Sequence, residues 1–153
     1  MSEWHQKFID SVVQRGPGSY LVDFPAYRPD LVGVLAQKAG CMLLDFRARD
    51  LAPLGFEAHK LPLGALDAAA EMPESETGIV IQNAEALLAT KPATERRAWL
   101  AAFLAIPRKT LAVIPLALFG REVADHPRVI RFEPGELPAD SFLSQLATLR
   151  LSS

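Results

Sequence analysis

Cysteine is nearly absent from this sequence: Cys41 is the only one in 153 residues, beside three histidines. One thiol forms no internal disulfide, and so few soft ligands in scattered positions argue against a zinc cluster. Neither sign of charge is in excess, because sixteen Lys and Arg face eighteen Asp and Glu for a net charge of −2. That balance excludes a globally basic nucleic-acid binder and leaves nucleic acid as an indirect partner only. Long apolar runs are missing too. The longest, Leu111 to Phe119, is interrupted by Pro115 and is half the roughly 18 residues that a membrane span needs. The first residues carry Glu3, Lys7 and Asp10 where an export signal would be basic and then apolar. These absences predict a cytoplasmic protein without membrane contact, and the richness in alanine, leucine and proline suggests a bacterial source. What is present is apolar residue at 50% against 22% charged, enough for a real core in one domain spanning 1–153.

Along the chain, helical and extended patterns alternate. Trp4, Phe8, Ile9, Val12 and Val13 recur at helical spacing, so Ser2 to Arg15 reads as an amphipathic helix capped by Ser2 and stopped at Gly16-Pro17-Gly18. Tyr20 to Phe24 reads as a strand, Pro29 to Ala39 as a helix closed by Gly40, and Cys41 to Phe46 as a strand buried on both faces. Arg47 to Leu63 is broken by Pro53, Gly55 and Pro62. A short helix over Gly64 to Met72 precedes the polar run Glu74-Ser75-Glu76-Thr77, and a β-branched strand follows over Gly78 to Gln82. Ala84 to Ala89 forms a helical turn. Thr94 is placed to cap a helix through Ile106 whose inward face is Trp99, Ala102, Phe103 and Ile106. Thr110 to Phe119 and Val129 to Phe132 read as the fourth and fifth strands, and Ala139 to Leu149 as a last helix with Phe142, Leu143, Leu146 and Leu149 inward. Strands alternating with helices predict an α/β fold in three layers, a mainly parallel five-stranded sheet with helices on both faces.

Chemistry in such a sheet gathers at the carboxyl ends of the strands. After the first strand the chain reads Asp23-Phe24-Pro25-Ala26-Tyr27-Arg28-Pro29-Asp30, without the glycines and lysine that cradle a phosphate. After the third it reads Ile79-Val80-Ile81-Gln82-Asn83-Ala84-Glu85-Ala86-Leu87. This stretch resembles the second nucleotide-binding motif of the AAA+ ATPases and is similar to the Asn-Ala-Glu-Ala form kept by inactive clamp-loader subunits. In active members an aspartate supports Mg²⁺ and a glutamate polarises the attacking water. The matching positions here are Gln82 and Asn83, neither of which supplies a negative charge; Glu85 matches a later acidic position. Thr110 to Phe119 lies where the family's sensor strand would be, ending without Asn, Thr or Ser, and the chain reaches Ser153 without the lid domain. The resemblance implies a degenerate P-loop NTPase-like core with no cofactor and no catalytic residue.

A second resemblance, of Leu43-Leu44-Asp45-Phe46-Arg47 with Gly55-Phe56 and Leu61-Pro62-Leu63-Gly64, is to the front half of a rhodanese domain. That family needs a nucleophilic cysteine after a later strand, where this chain has Gln82 and Asn83, and Cys41 inside an apolar run reads as buried and inert. The function expected is therefore a non-catalytic protein-binding or assembly subunit serving an ATPase or a DNA-processing machine, by self-association or with a second protein. Trp4 and Phe142, on the first and last helices, and Arg96 and Arg97, at a helix start, are the expected contact residues. The alternative is a small enzyme using the strand-end carboxylates Asp23 and Asp45, with Arg28 or Arg47 holding an anion.

Overall fold

A computed structural model describes residues 3–71 and 77–139. Five strands form one sheet: β1 (Gly18–Asp23), β2 (Met42–Asp45), β3 (Gly78–Gln82), β4 (Leu111–Leu116) and β5 (Val129–Arg131). All pairings are parallel and the order is β2-β3-β4-β1-β5. The helices are α1 (Gln6–Arg15), α2 (Pro29–Ala39), α3 (Gly64–Ala70), α4 (Glu85–Leu88) and α5 (Ala93–Ala105).

Side chains alternate between the two faces of the sheet, as the two-residue strand repeat requires. Tyr20, Val22, Val80 and Val113 meet Phe8 of α1 and Leu31, Val32 and Leu35 of α2 in one cluster. Leu21, Ile79, Ile81, Ala112 and Ile114 meet Leu66 of α3, Leu87 and Leu88 of α4, and Leu100 and Phe103 of α5 in the other. The expected layers are thus present, with α1 and α2 on one face and α3, α4 and α5 on the opposite one. Parallel strands buried on both faces read as continuous apolar runs, and β1, β3 and β4 do so.

Several local expectations are corrected. The segment after Gly40 is not buried on both faces: β2 is an edge strand of four residues in which only Leu44 is buried and Leu43 is exposed. Arg47 to Leu63 is more regular than its prolines suggest, with a π-type turn over Arg47–Leu51 and 3₁₀ turns over Ala52–Lys60. Thr94 does not cap α5. Pro92 occupies that position with extended φ/ψ, and the helix starts at Ala93. The buried stripe of α5 is Leu100, Phe103 and Leu104, with Ala102 facing out. Val13 of α1 is 80% exposed, and the chain around Trp4 is a turn ahead of the helix. The cap assigned to Ser2, the residues 74–76, and the helix from Ala139 with Phe142 lie outside the described residues, apart from Ala139 itself.

Candidate functional site

The strand order places one crevice. The connection after β1 leaves on the α2 face. The connection after β4 is tied to the α5 face, where Arg96 donates to both carboxylate oxygens of Glu122 at 2.5 and 2.7 Å and lies 4.2 Å from the Phe119 ring. Adjacent strands whose connections part to opposite faces make the switch point at which open α/β sheets bind ligands. Here that point is the carboxyl ends of β1 and β4.

The β1 loop, Phe24 to Arg28, is pinned rather than open. The Phe24 N–H donates to Leu116 O at 2.8 Å, and the Phe24 ring stacks on Phe132 with Trp4 edge-on to both. Pro29 at the first turn of α2 lacks an N–H, and Asp30 already occupies that helix terminus. Arg28, expected as an anion holder, instead chelates Asp30 at 3.0 and 3.1 Å and donates to Pro138 O at 2.9 Å. Hydrogen bonding from that guanidinium holds the Asp30 carboxyl below the usual carboxylate range.

At the end of β3, Asn83 has a positive φ of 64°, a conformation asparagine tolerates better than most residues. It accepts from the Tyr27 hydroxyl at 3.1 Å and donates to Asp45 at 2.9 Å, while Asp45 also accepts the Ala48 N–H. Asp45 therefore serves as a turn anchor. Asp23 and Asp45 do not form a carboxylate pair. β3 and β4 separate their strands, which at ~4.8 Å per strand puts them about 14 Å apart. Asp23 instead accepts from Arg131 Nη1 at 2.8 Å, and Arg131 also reaches Asp125, Gly120 O and Val123 O. Gly120 packs so closely on Asp23 that a Cβ there would overlap the carboxylate.

Glu85, which the resemblance set aside, has the most organised surroundings at the crevice. Its carboxylate accepts three consecutive backbone N–H groups, from Ala117, Leu118 and Phe119, at 2.6, 2.7 and 2.8 Å. Successive N–H groups at a strand end form an anion-binding nest, and the protein fills it with its own side chain. Nothing in the local sequence marks this partnership, since the donors lie more than thirty positions away. Arg131 carried a weak signal that was missed: a charged residue within the apolar run Val129-Ile130-Arg131-Phe132 needs an internal partner.

Two recesses flank the loop after β4. The larger, about 720 Å³, is lined by the Arg131 ion pairs, Arg121 and Glu133. The smaller, about 200 Å³, lies over the switch point between the β1 loop and α4, with Arg47, Gln82 and Asn83 on its wall. Of the contact residues expected from sequence, Trp4 is half-buried against Phe24 and Phe132, Arg96 is engaged by Glu122, and Arg97 is exposed at 3.8 Å from Glu122. Cys41 is half-buried among α2 residues, and desolvation pushes its thiol up to about 11. No grouping of three or more His, Cys, Asp or Glu suited to a metal ion occurs among the described residues, and no described helix is long and apolar enough to cross a membrane. No protein-family model, curated protein or solved structure matches the chain.

Proposed function

We propose that this chain is a non-catalytic protein-binding or assembly subunit, built on a P-loop NTPase-like core from which nucleotide chemistry has been lost. The scaffold half of the reading is supported by the all-parallel five-stranded sheet with helices on both faces, the architecture that the AAA+ resemblance implies. The functional half rests on one observation: apart from Arg47, the charged side chains at the switch point are bonded to the protein itself. Glu85 closes the N–H nest, Arg28 is held by Asp30, and Asp23 is held by Arg131. A general base needs a free lone pair within reach of water, and phosphate binding needs free N–H groups. The matching positions Gln82 and Asn83 carry no charge to support Mg²⁺.

The test pairs two measurements on the full chain. Thermal melting with millimolar Mg-ATP is expected to be unchanged, since binding only the native state at 100 times Kd adds ~2.7 kcal/mol and raises Tm visibly. Light scattering after cross-linking, alone and with purified proteins encoded beside it, is expected to show a complex. A Tm rise with nucleotide, or a strictly monomeric protein that joins none of those neighbours, overturns the reading.

A further inference from the structure

We propose that the 200 Å³ recess over the switch point is a socket for one large apolar side chain of a partner protein, presented beside an acidic residue that meets Arg47. The proposal rests on the protein-binding reading and names the place and chemistry of the contact.

The first observation is the distribution of exposed apolar groups. Tyr27 is 60% and Leu118 70% exposed, and both line this one recess. Its floor is apolar, formed by Phe24, Val32, Pro115 and Leu116. Scattered exposed apolar residues need no explanation, whereas a pair at the mouth of an apolar depression has the composition of an interface anchor point. Size narrows the occupant. Small-molecule sites run about 300–1,000 Å³, but a cavity of ~150 Å³ takes a benzene ring. A leucine, methionine or phenylalanine side chain fits the recess.

Preorganisation is the second observation. One lip is fixed where the Tyr27 hydroxyl donates to Asn83, itself bonded to Asp45. The other is fixed where Glu85 gathers the N–H groups of Ala117, Leu118 and Phe119. A socket held open in this way spares a partner most of the ordering cost.

Charge supplies the third. Of the ionisable side chains on the wall, Arg28 is paired with Asp30 and Glu85 with its three N–H donors. The Arg47 side chain is exposed and has no hydrogen-bond or ion-pair partner among the described residues. Asp45, two positions earlier, is held by Asn83 and the Ala48 N–H and is not part of the wall. Those hydrogen bonds satisfy the Glu85 and Asp45 oxygens without removing their charge; what distinguishes the mouth is the Arg47 guanidinium, whose donors are open to a carboxylate on the partner.

The experiment selects random peptides displayed on phage against the full chain, then measures the winners on two variants. Ala89→Trp fills the mouth from an exposed position just beyond α4, and Arg47→Glu reverses the charge; circular dichroism confirms that both fold. Enriched peptides are expected to share one large apolar residue within three positions of Asp or Glu. Their affinity should fall about tenfold or more on Ala89→Trp, and Arg47→Glu should shift selection towards Lys or Arg. Backbone amide shifts on binding should centre on Tyr27, Arg47 and Leu118. Peptides that bind both variants within about twofold of the parent dock elsewhere; that result sinks the socket and leaves the protein-binding reading standing. A consensus indifferent to Arg47→Glu overturns the acidic complement, and a selection that enriches nothing overturns the socket. The broader reading is judged separately by the light-scattering experiment.

Discussion

At the scale of single residues, the crevice is governed by how many donors each carboxylate satisfies. Glu85 accepts from three backbone N–H groups at once, and hydrogen bonds to a charged group are worth roughly twice neutral ones. Glu85→Ala leaves those donors without their acceptor and should lower unfolding free energy in urea by about 2–3 kcal/mol, with Glu85→Gln costing less because one oxygen remains. Amide exchange at 117–119 should accelerate in parallel. Cys41 gives a second expectation. With its thiol pushed up from 9.0 to about 11 by desolvation, its thiolate fraction near pH 8 is roughly a hundredfold lower than that of an unperturbed thiol, so iodoacetamide should modify it correspondingly slowly. Acid has the opposite handle. Asp30 is held down by hydrogen bonding from Arg28, Glu122 by hydrogen bonding from Arg96, and Glu136 by the Glu133 N–H and then Lys7. A carboxyl whose folded pKa lies below its unfolded one contributes stability above the unfolded value and loses it as pH falls through the folded one. The denaturation midpoint should therefore be level between pH 7 and about 5 and fall below about pH 4. The triple variant Asp30→Asn, Glu122→Gln, Glu136→Gln should show a shallower fall.

At the scale of elements, the sequence was most legible where burial is two-sided. β1, β3 and β4 were visible because both faces are covered and the residues between the turn signals are apolar almost without interruption. The same rule misread β2. A run such as Met42-Leu43-Leu44 looks alike at the centre and at the edge of a sheet, and strand order is a long-range property that no local pattern carries. Thr94 does not cap because α5 starts at Ala93, two residues before the start that a Thr94 cap would give, after a proline whose φ already suits a helix entrance. The candidate site divides in the same way. The expectation that nucleotide chemistry is absent came from residue types in the β1 loop and at Gln82-Asn83, while the contacts that the structure forms there had no local signal naming their partners. The Glu85 nest, the Asp23–Arg131 pair and the Tyr27–Asn83–Asp45 chain all join positions brought together only by the crossovers. A prediction at this scale follows from β3, which is paired on both sides. Ile81 is fully buried there, and Ile81→Ala should cost about 2–5 kcal/mol in chemical denaturation. Gly78, at the start of the same strand with a φ of 153°, lies where a Cβ would overlap the Leu111 backbone. Gly78→Ala should therefore destabilise despite adding only one methyl group, because the β3–β4 pairing has to shift to admit it.

For the molecule as a whole, the consequence of this topology is a switch-point crevice between two separately packed cores. The α1–α2 layer and the α3–α4–α5 layer pack on opposite faces of the sheet, and the crevice opens where their connections part. In a nucleotide-binding protein the ligand bridges that gap and adds stability to both sides. On the proposed reading internal bonds bridge it instead: Phe24 N–H to Leu116 O joins the β1 loop to β4, and Asp23 to Arg131 joins β1 to β5. If those bonds replace a nucleotide, the cores should already be coupled without one, and a single unfolding transition should be seen by every probe. Trp4 reports on the α1 layer and Trp99, stacked on Phe103 at 5.3 Å, on the α5 layer. Single-tryptophan variants, Trp99→Phe and Trp4→Phe, let fluorescence follow each layer alone. Coincident urea midpoints, unmoved by millimolar Mg-ATP, are the expected result. Midpoints that separate in the free protein and converge on adding nucleotide would show that the gap is bridged by ligand after all, and the crevice would then have to be read as a working nucleotide site.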